Sequence, residues 1–191
     1  MADSPWDMWS AIGTLGAVFT ALGLSYLSSR SSGKVATDKA ELAAAKMLSP
    51  LSTLERKASY LSVCFAFSES DFSEPGANVL KALEELEVLS RGISIEDLYP
   101  LLKLPSHAAK RSARALGLIQ TFASETHALL THSTWIELES AQKAFHYNRW
   151  AGMLDVIKDH LVVAVSACES AASTGAPRPS PEEVYGGAAN D

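Results

Sequence analysis

Residues Trp9 to Leu27 read WSAIGTLGAVFTALGLSYL, and none of them carries an ionised side chain. The uncharged run reaches from Met8 to Ser29, between Asp7 and Arg30. A helix rises about 1.5 Å per residue, so the stretch covers roughly 28 Å, near the hydrocarbon thickness of a bilayer. A helix also satisfies its own backbone polar groups, as lipid requires. The sequence therefore predicts a single N-terminal transmembrane helix over 9–27, after a short flank at 1–8. A secretory signal peptide fits less well, because the start, Met1 to Asp7, is acidic and has no Lys or Arg. The nearby small-x-small site, Ser29-Arg30-Ser31, has a bulky charge at its centre. A core helix of a soluble domain seldom runs this long without a charge.

The flanks assign an orientation. Trp6, Trp9 and Tyr26 lie near the two ends, where aromatic rings favour the headgroup layer. No Lys or Arg precedes the stretch, whereas Arg30, Lys34 and Lys39 follow it. The positive-inside rule then keeps everything after Arg30 in the cytoplasm. Gly13, Ala17 and Ala21 recur at four-residue spacing, with Gly16 and Thr20 beside them, and such a small-residue ridge suits close pairing of membrane helices. The run Ile12 to Val18, IGTLGAV, is similar to the anchors of small bacterial membrane proteins, which implies a bacterial inner-membrane location and points to no one family.

The remainder of the 191 residues has room for one domain. Hydrophobic residues make up 47% of the chain, enough for a core, and Ala and Leu dominate them. Val/Ile/Thr-rich runs and Asn-Gly or Asp-Gly turns are missing, which favours helices over a sheet. The predicted class is all-α: a single N-terminal transmembrane helix followed by a cytoplasmic bundle of about four to five helices. A formal net charge of −6 argues against nucleic acid as a partner, since neutralising phosphates takes an excess of Lys and Arg. Cys64 and Cys168 are far apart in apolar helical contexts and read as buried thiols of a reducing compartment.

Ser28 to Gly33 is a polar break, giving a linker at 28–34. The helical domain covers 35–173. Leu48, Leu51, Leu54, Ala58, Leu61 and Phe65 make one apolar stripe, interrupted by Pro50, which should kink or divide the helix. Glu41 to Lys46, alanine-rich, reads as an exposed stalk. A loop over 68–76 leads to a second helix, about 78–91, with Val79, Leu83 and Leu86 inward and Gly92 ending it. Ser94 and Asp97 signal a short helical piece that Pro100 and Pro105 keep short. From about 106 to 132 a wide face, Ala108, Ala115, Ile119, Phe122, Thr126 and Leu129, marks an interior helix. Thr134 and Glu137 suggest a capping box opening a helix to about 173, with Leu154, Ile157, Leu161, Val165 and Cys168 inward and a break at Asn148 or Gly152. The Pro- and Gly-rich stretch 174–191 reads as a disordered tail.

Chemistry is sparse. The five histidines, His107, His127, His132, His146 and His160, never show the three- or four-residue spacing by which one helix offers a metal two ligands. G-x-S-x-G does not occur. Ser31-Ser-Gly-Lys34 lacks the upstream glycine and the following Ser or Thr of a phosphate loop. No catalytic, cofactor-binding or metal site is therefore expected, and the chain reads as not an enzyme.

Two constellations remain. Lys103, His107, Lys110, Arg111 and Arg114 make a basic ridge. It would meet either anionic lipid or an acidic partner, or else pair internally with Glu84, Glu85 and Glu87, the reading the prevalence of weak surface pairs favours. Trp135, Phe145, Tyr147 and Trp150 form an aromatic group, from which Trp135, Tyr147 and Trp150 would offer a partner surface. The expected function is a membrane-tethered interaction or scaffold module that binds a protein partner or a second copy of itself. The alternative is a small oligomeric membrane-perturbing or pore-forming protein built on Gly13, Ala17 and Ala21.

Overall fold

The computed structural model of the chain describes the backbone of residues 5–67, 75–130 and 134–185. Side chains are described from residue 33 onward within those ranges, except at 134, 181 and 185. All regular structure over these residues is helical: α1 Pro5–Ala66, α2 Ala77–Arg91, α3 Ile95–Leu98, α4 Ala108–Leu130, α5 Thr134–Glu137, α6 Ser140–Gly175 and α7 Pro181–Tyr185. Two 3-10 turns, Pro100–Lys103 and Pro105–His107, link α3 to α4. The chain divides into two compact units, 1–39 and 40–191. Among the described residues no helix is long and apolar enough to cross a membrane. The predicted span over 9–27 and its Gly13, Ala17 and Ala21 face lie outside the described side chains.

In the first unit α1 runs straight through 28–34, where the sequence suggests a polar linker. One glycine costs a helix about 1 kcal/mol and serines less, too little to end it. Thr37 Oγ1 donates back to the Gly33 carbonyl one turn earlier, at 3.1 Å.

In the second unit α1 is not divided at Pro50. An interior proline costs about 3 kcal/mol. Leu51 and Leu54, both fully buried beside it, offset that by about 1.5–3 kcal/mol each. The predicted stalk over Glu41 to Lys46 is also corrected: Ala44 is buried, as is Ala40 just before it, and only Leu42, Ala45 and Lys46 face solvent. Small side chains there let α1 and α6 come close. At the end of α6, a Cβ on Gly175 would sit 2.8 Å from Glu41 Cβ. Farther along, Ser62 Oγ donates to Asp155 Oδ1 at 2.8 Å. These two contacts, 41 with 175 and 62 with 155, make α1 and α6 antiparallel. Glu125 with Arg149, and Arg111 beside His160, do the same for α4 and α6. Lys57 pairs with Glu85 to fasten α2 onto α1.

The core follows the stripes in the sequence. Leu51, Leu54, Ala58, Leu61 and Phe65 from α1 meet Leu83 and Leu86 from α2, Ala115, Ile119 and Phe122 from α4, and Leu154, Ile157 and Leu161 from α6. Thr126, buried among them, satisfies its hydroxyl by donating to the Phe122 carbonyl at 2.9 Å.

Helix ends are set by local hydrogen bonds. The Ser94–Asp97 capping box forms as its spacing suggests, with Asp97 N donating to Ser94 Oγ and Ser94 N to Asp97 Oδ2. The break after Thr134 falls at 138–139, not at Asn148 or Gly152, and Glu139 N donates to Gln142 Oε1 at 3.0 Å to open α6. The helix passes Asn148 and Gly152 because both are exposed and displace nothing in the core. The stretch read as a disordered tail contains α7, opened by Glu183 N donating to Ser180 Oγ at 3.2 Å and Ser180 N to Glu183 Oε2 at 2.7 Å.

Candidate functional site

The aromatic group is not a partner surface; it is core. Trp135 and Trp150 are 1% and 0% exposed and Tyr147 is 3%. Their rings close around Phe65 at the end of the described part of α1: Trp150 at 5.4 Å and Tyr147 at 5.3 Å between centroids. Positions 147, 150, 154, 157 and 161 continue one inward stripe of α6, so burial takes the rings the FHYNRW order had left undecided. Phe145, on the opposite side, is 62% exposed. Trp135 Nε1, Trp150 Nε1 and His146 Nδ1 are buried and have no hydrogen-bond partner among the described residues. Lys143 Nζ lies 5.9 Å from the Trp135 ring centroid, a cation over an aromatic face.

The basic ridge stays at the surface but does not meet the acids of α2. Glu85 pairs with Lys57 and Lys81, and Glu87 with Arg91 and His127. The Lys57 ammonium beside Glu85 holds its carboxyl below the ordinary range. Neither these two acids nor Glu84 pairs with the ridge among the described residues, so the internal pairing the sequence suggests does not form. Lys103, His107, Lys110 and Arg114 are all exposed, and none has an acidic partner among the described residues. Arg111 is set apart from them. It is half-buried, its Nε donates to the Ser106 carbonyl at 2.9 Å, and its Nη1 lies 3.5 Å from His160 Nδ1. That bond braces a tight turn, since Ser106 and His107 both take positive φ, 58° and 55°.

The turn also presents apolar side chains outside the apolar stripes of the sequence. Ile95, Tyr99 and Leu102 are 51%, 60% and 56% exposed, immediately before Lys103. Their neighbours Leu98 and Leu101, offset by one position, are buried. Both sets have helical spacing, so periodicity alone does not say which faces the core. Lys46 Nζ donates to Asp97 Oδ1 at 2.9 Å and ties this turn to α1. Asp97 is held at about 2, first by that ammonium and then by the Ser94 hydroxyl and amide.

A second feature is a groove of about 700 Å³ between α2 and α4. Leu80, Leu83, Val88 and Leu130 line it with Glu84, Glu87 and His127. Leu80 and Val88 are half-exposed outward residues of a helix whose sequence shows only a narrow apolar stripe. No group of three or more His, Cys, Asp or Glu side chains gathers where it would hold a metal among the described residues. His146 belongs to the aromatic cluster and His160 to the Arg111 contact, and on the continuous helix α6 the two stand about 21 Å apart, too far for a joint site. Compared with known proteins, the chain matches no family model, no curated protein and no solved structure.

Proposed function

We propose that the chain is a membrane-tethered helical module. Trp9–Leu27 anchors it, the residues after Arg30 stay cytoplasmic, and the second unit binds a protein partner or another copy. The observation that carries this reading is the uncharged run from Met8 to Ser29, with Lys and Arg on its C-terminal side only. A continuous helical backbone from Pro5 supports it, because a spanning segment must satisfy its own amides and carbonyls. The second unit supplies surface for recognition in the groove between α2 and α4, where apolar floor and charged rim lie side by side. Tethering raises the local concentration of such a surface, so weak contacts suffice. The role is binding and not catalysis.

Fractionation of cells expressing the intact chain tests the tether. The protein is expected in the membrane pellet after an alkaline carbonate wash, and protease added outside intact cells is expected to leave residues 40–191 undigested. Recovery in the supernatant without detergent would overturn the reading.

A further inference from the structure

We infer that the groove between α1 and α2 binds a phosphate-bearing small molecule of nucleotide size, with its phosphates on Arg56, Lys81 and the first turn of α2 and its ring against Tyr60. The site lies wholly within the second unit and does not depend on the tether.

The groove holds about 500 Å³, within the range of small-molecule sites. Arg56, Lys57 and Tyr60 line it from α1, and Asn78, Lys81 and Glu85 from α2. Its walls thus carry three cations to one carboxylate, in a chain of net charge −6. Glu84 lines the neighbouring groove, beside Val88 and Leu89. The three cations are not equivalent. Lys57 is half-buried and closes on Glu85, so those two charges offset each other. Lys81 reaches the same carboxylate only at 4.0 Å, and its side chain is 75% exposed. Arg56 is exposed and has no acidic partner among the described residues; its Nη2 donates to Thr53 Oγ1 at 3.5 Å. One guanidinium and one ammonium are left over, on opposite walls.

Two cations match the charge of a phosphate monoester, about −2 near neutral pH, and its three oxygens can meet both at once. The start of α2 adds donors of the same sign. Gly76, its N-cap, has no side chain to accept from the first turn, and no acid stands in that turn. The positive end of the helix therefore opens beside Asn78. Tyr60 supplies the other half of the ligand's chemistry. Its ring is 47% exposed while its hydroxyl is occupied by Cys64, so the groove is offered an aromatic face on which a base can stack.

Calorimetric titration of the full chain in non-ionic detergent, with ADP, adenosine and pyrophosphate as probes, tests the site. ADP is expected to saturate one site per chain, and adenosine none. Arg56→Gln and Lys81→Gln are each expected to weaken ADP about tenfold or more with an unchanged circular dichroism spectrum, because each removes a charge-assisted hydrogen bond. Tyr60→Ala is expected to weaken ADP about tenfold and to leave pyrophosphate unaffected. Lys110→Gln/Arg114→Gln, on the basic ridge, is expected to change nothing. Absence of ADP binding, or ADP affinity unchanged in Arg56→Gln/Lys81→Gln, overturns the site. Equal loss from the ridge variant also overturns it, by showing attraction to any surface cation. Adenosine binding as tightly as ADP overturns the phosphate contact, and pyrophosphate binding as tightly as ADP overturns the contact with Tyr60.

Discussion

The indole rings of Trp135 and Trp150 stack with centroids 5.6 Å apart and planes 19° from parallel. Tyr147 stands edge-on to both, at 5.5 and 5.8 Å. The stack joins α5 to α6, and Phe65 packs on Trp150 from α1. Trp150→Ala is expected to cost about 3–5 kcal/mol, because the cavity left at a fully buried indole cannot collapse around several fixed rings. Trp150→Phe is expected to cost clearly less. The Nε1 it removes has no partner among the described residues, so ring volume is lost without a hydrogen bond. Urea unfolding of both variants at one pH measures the difference.

Acid should loosen the fold through Asp97. Its carboxyl sits at about 2 in the folded chain, first because Lys46 donates to it and then because of Ser94. In the unfolded chain it returns to about 3.9. A depressed carboxylate stabilises the fold above its unfolded value and loses that contribution as pH falls through its folded one. Thermal scans are therefore expected to show a Tm that falls between about pH 4 and about pH 2. Asp97→Asn should lower Tm at neutral pH and flatten that limb, although the depressed carboxyls of Glu85 and Asp155 keep some slope. A limb unchanged by the substitution would mean that the Lys46 contact contributes nothing.

The two thiols should separate kinetically. Burial pushes the Cys168 thiol up to about 11 and leaves none of the residue exposed. Cys64 is half-buried, one turn from Tyr60 on α1, and the two side chains share a hydrogen bond. A maleimide is expected to label Cys64 in the native protein and Cys168 only after unfolding. Peptide mass spectrometry of native and denatured samples decides it.

Glycines on opposite sides of the packing should respond with opposite signs. Gly117 on α4 and Gly152 on α6 are exposed, and a Cβ on either meets nothing within 4 Å. Gly117→Ala and Gly152→Ala are each expected to stabilise by about 1 kcal/mol, since helix propensity is the only quantity that changes. Gly175 is different. A Cβ there would press to 2.6 Å from Glu41 Oε2 and 2.8 Å from Glu41 Cβ, so Gly175→Ala is expected to lower Tm. Calorimetry on the three variants reads the signs directly.

Much of the fold was legible because periodicity reports burial. Leu51, Leu54, Ala58, Leu61 and Phe65, and likewise Leu154, Ile157, Leu161 and Cys168, are inside as their spacing requires. The Ser94–Asp97 box was legible because its reciprocal bonds involve only neighbours in sequence. The errors came from local signals overruled by tertiary contact. Pro50 does not divide α1, because Met47 before it and Leu51 and Leu54 after it are locked in the core. Ala44 reads as stalk, yet small residues are what close helix contact selects. At the candidate site the ridge positions were recognised, but which of them has a structural task was not. Arg111 turns inward to a carbonyl five residues back, and no periodic rule marks that bond. The aromatic residues were misplaced for a related reason: Trp135 reaches the core from a four-residue helix too short to have a readable face.

Consecutive positive φ at Ser106 and His107 restricts which residues any chain with this architecture can carry there. Branched side chains such as Val, Ile and Thr clash in that conformation, whereas Gly, Asn and Asp accept it. In distant relatives whose overall identity has faded, those two positions should retain a narrow alphabet. A pair of small or amide residues just ahead of an Ala-Ala-initiated helix would then serve as a fingerprint by which to find them.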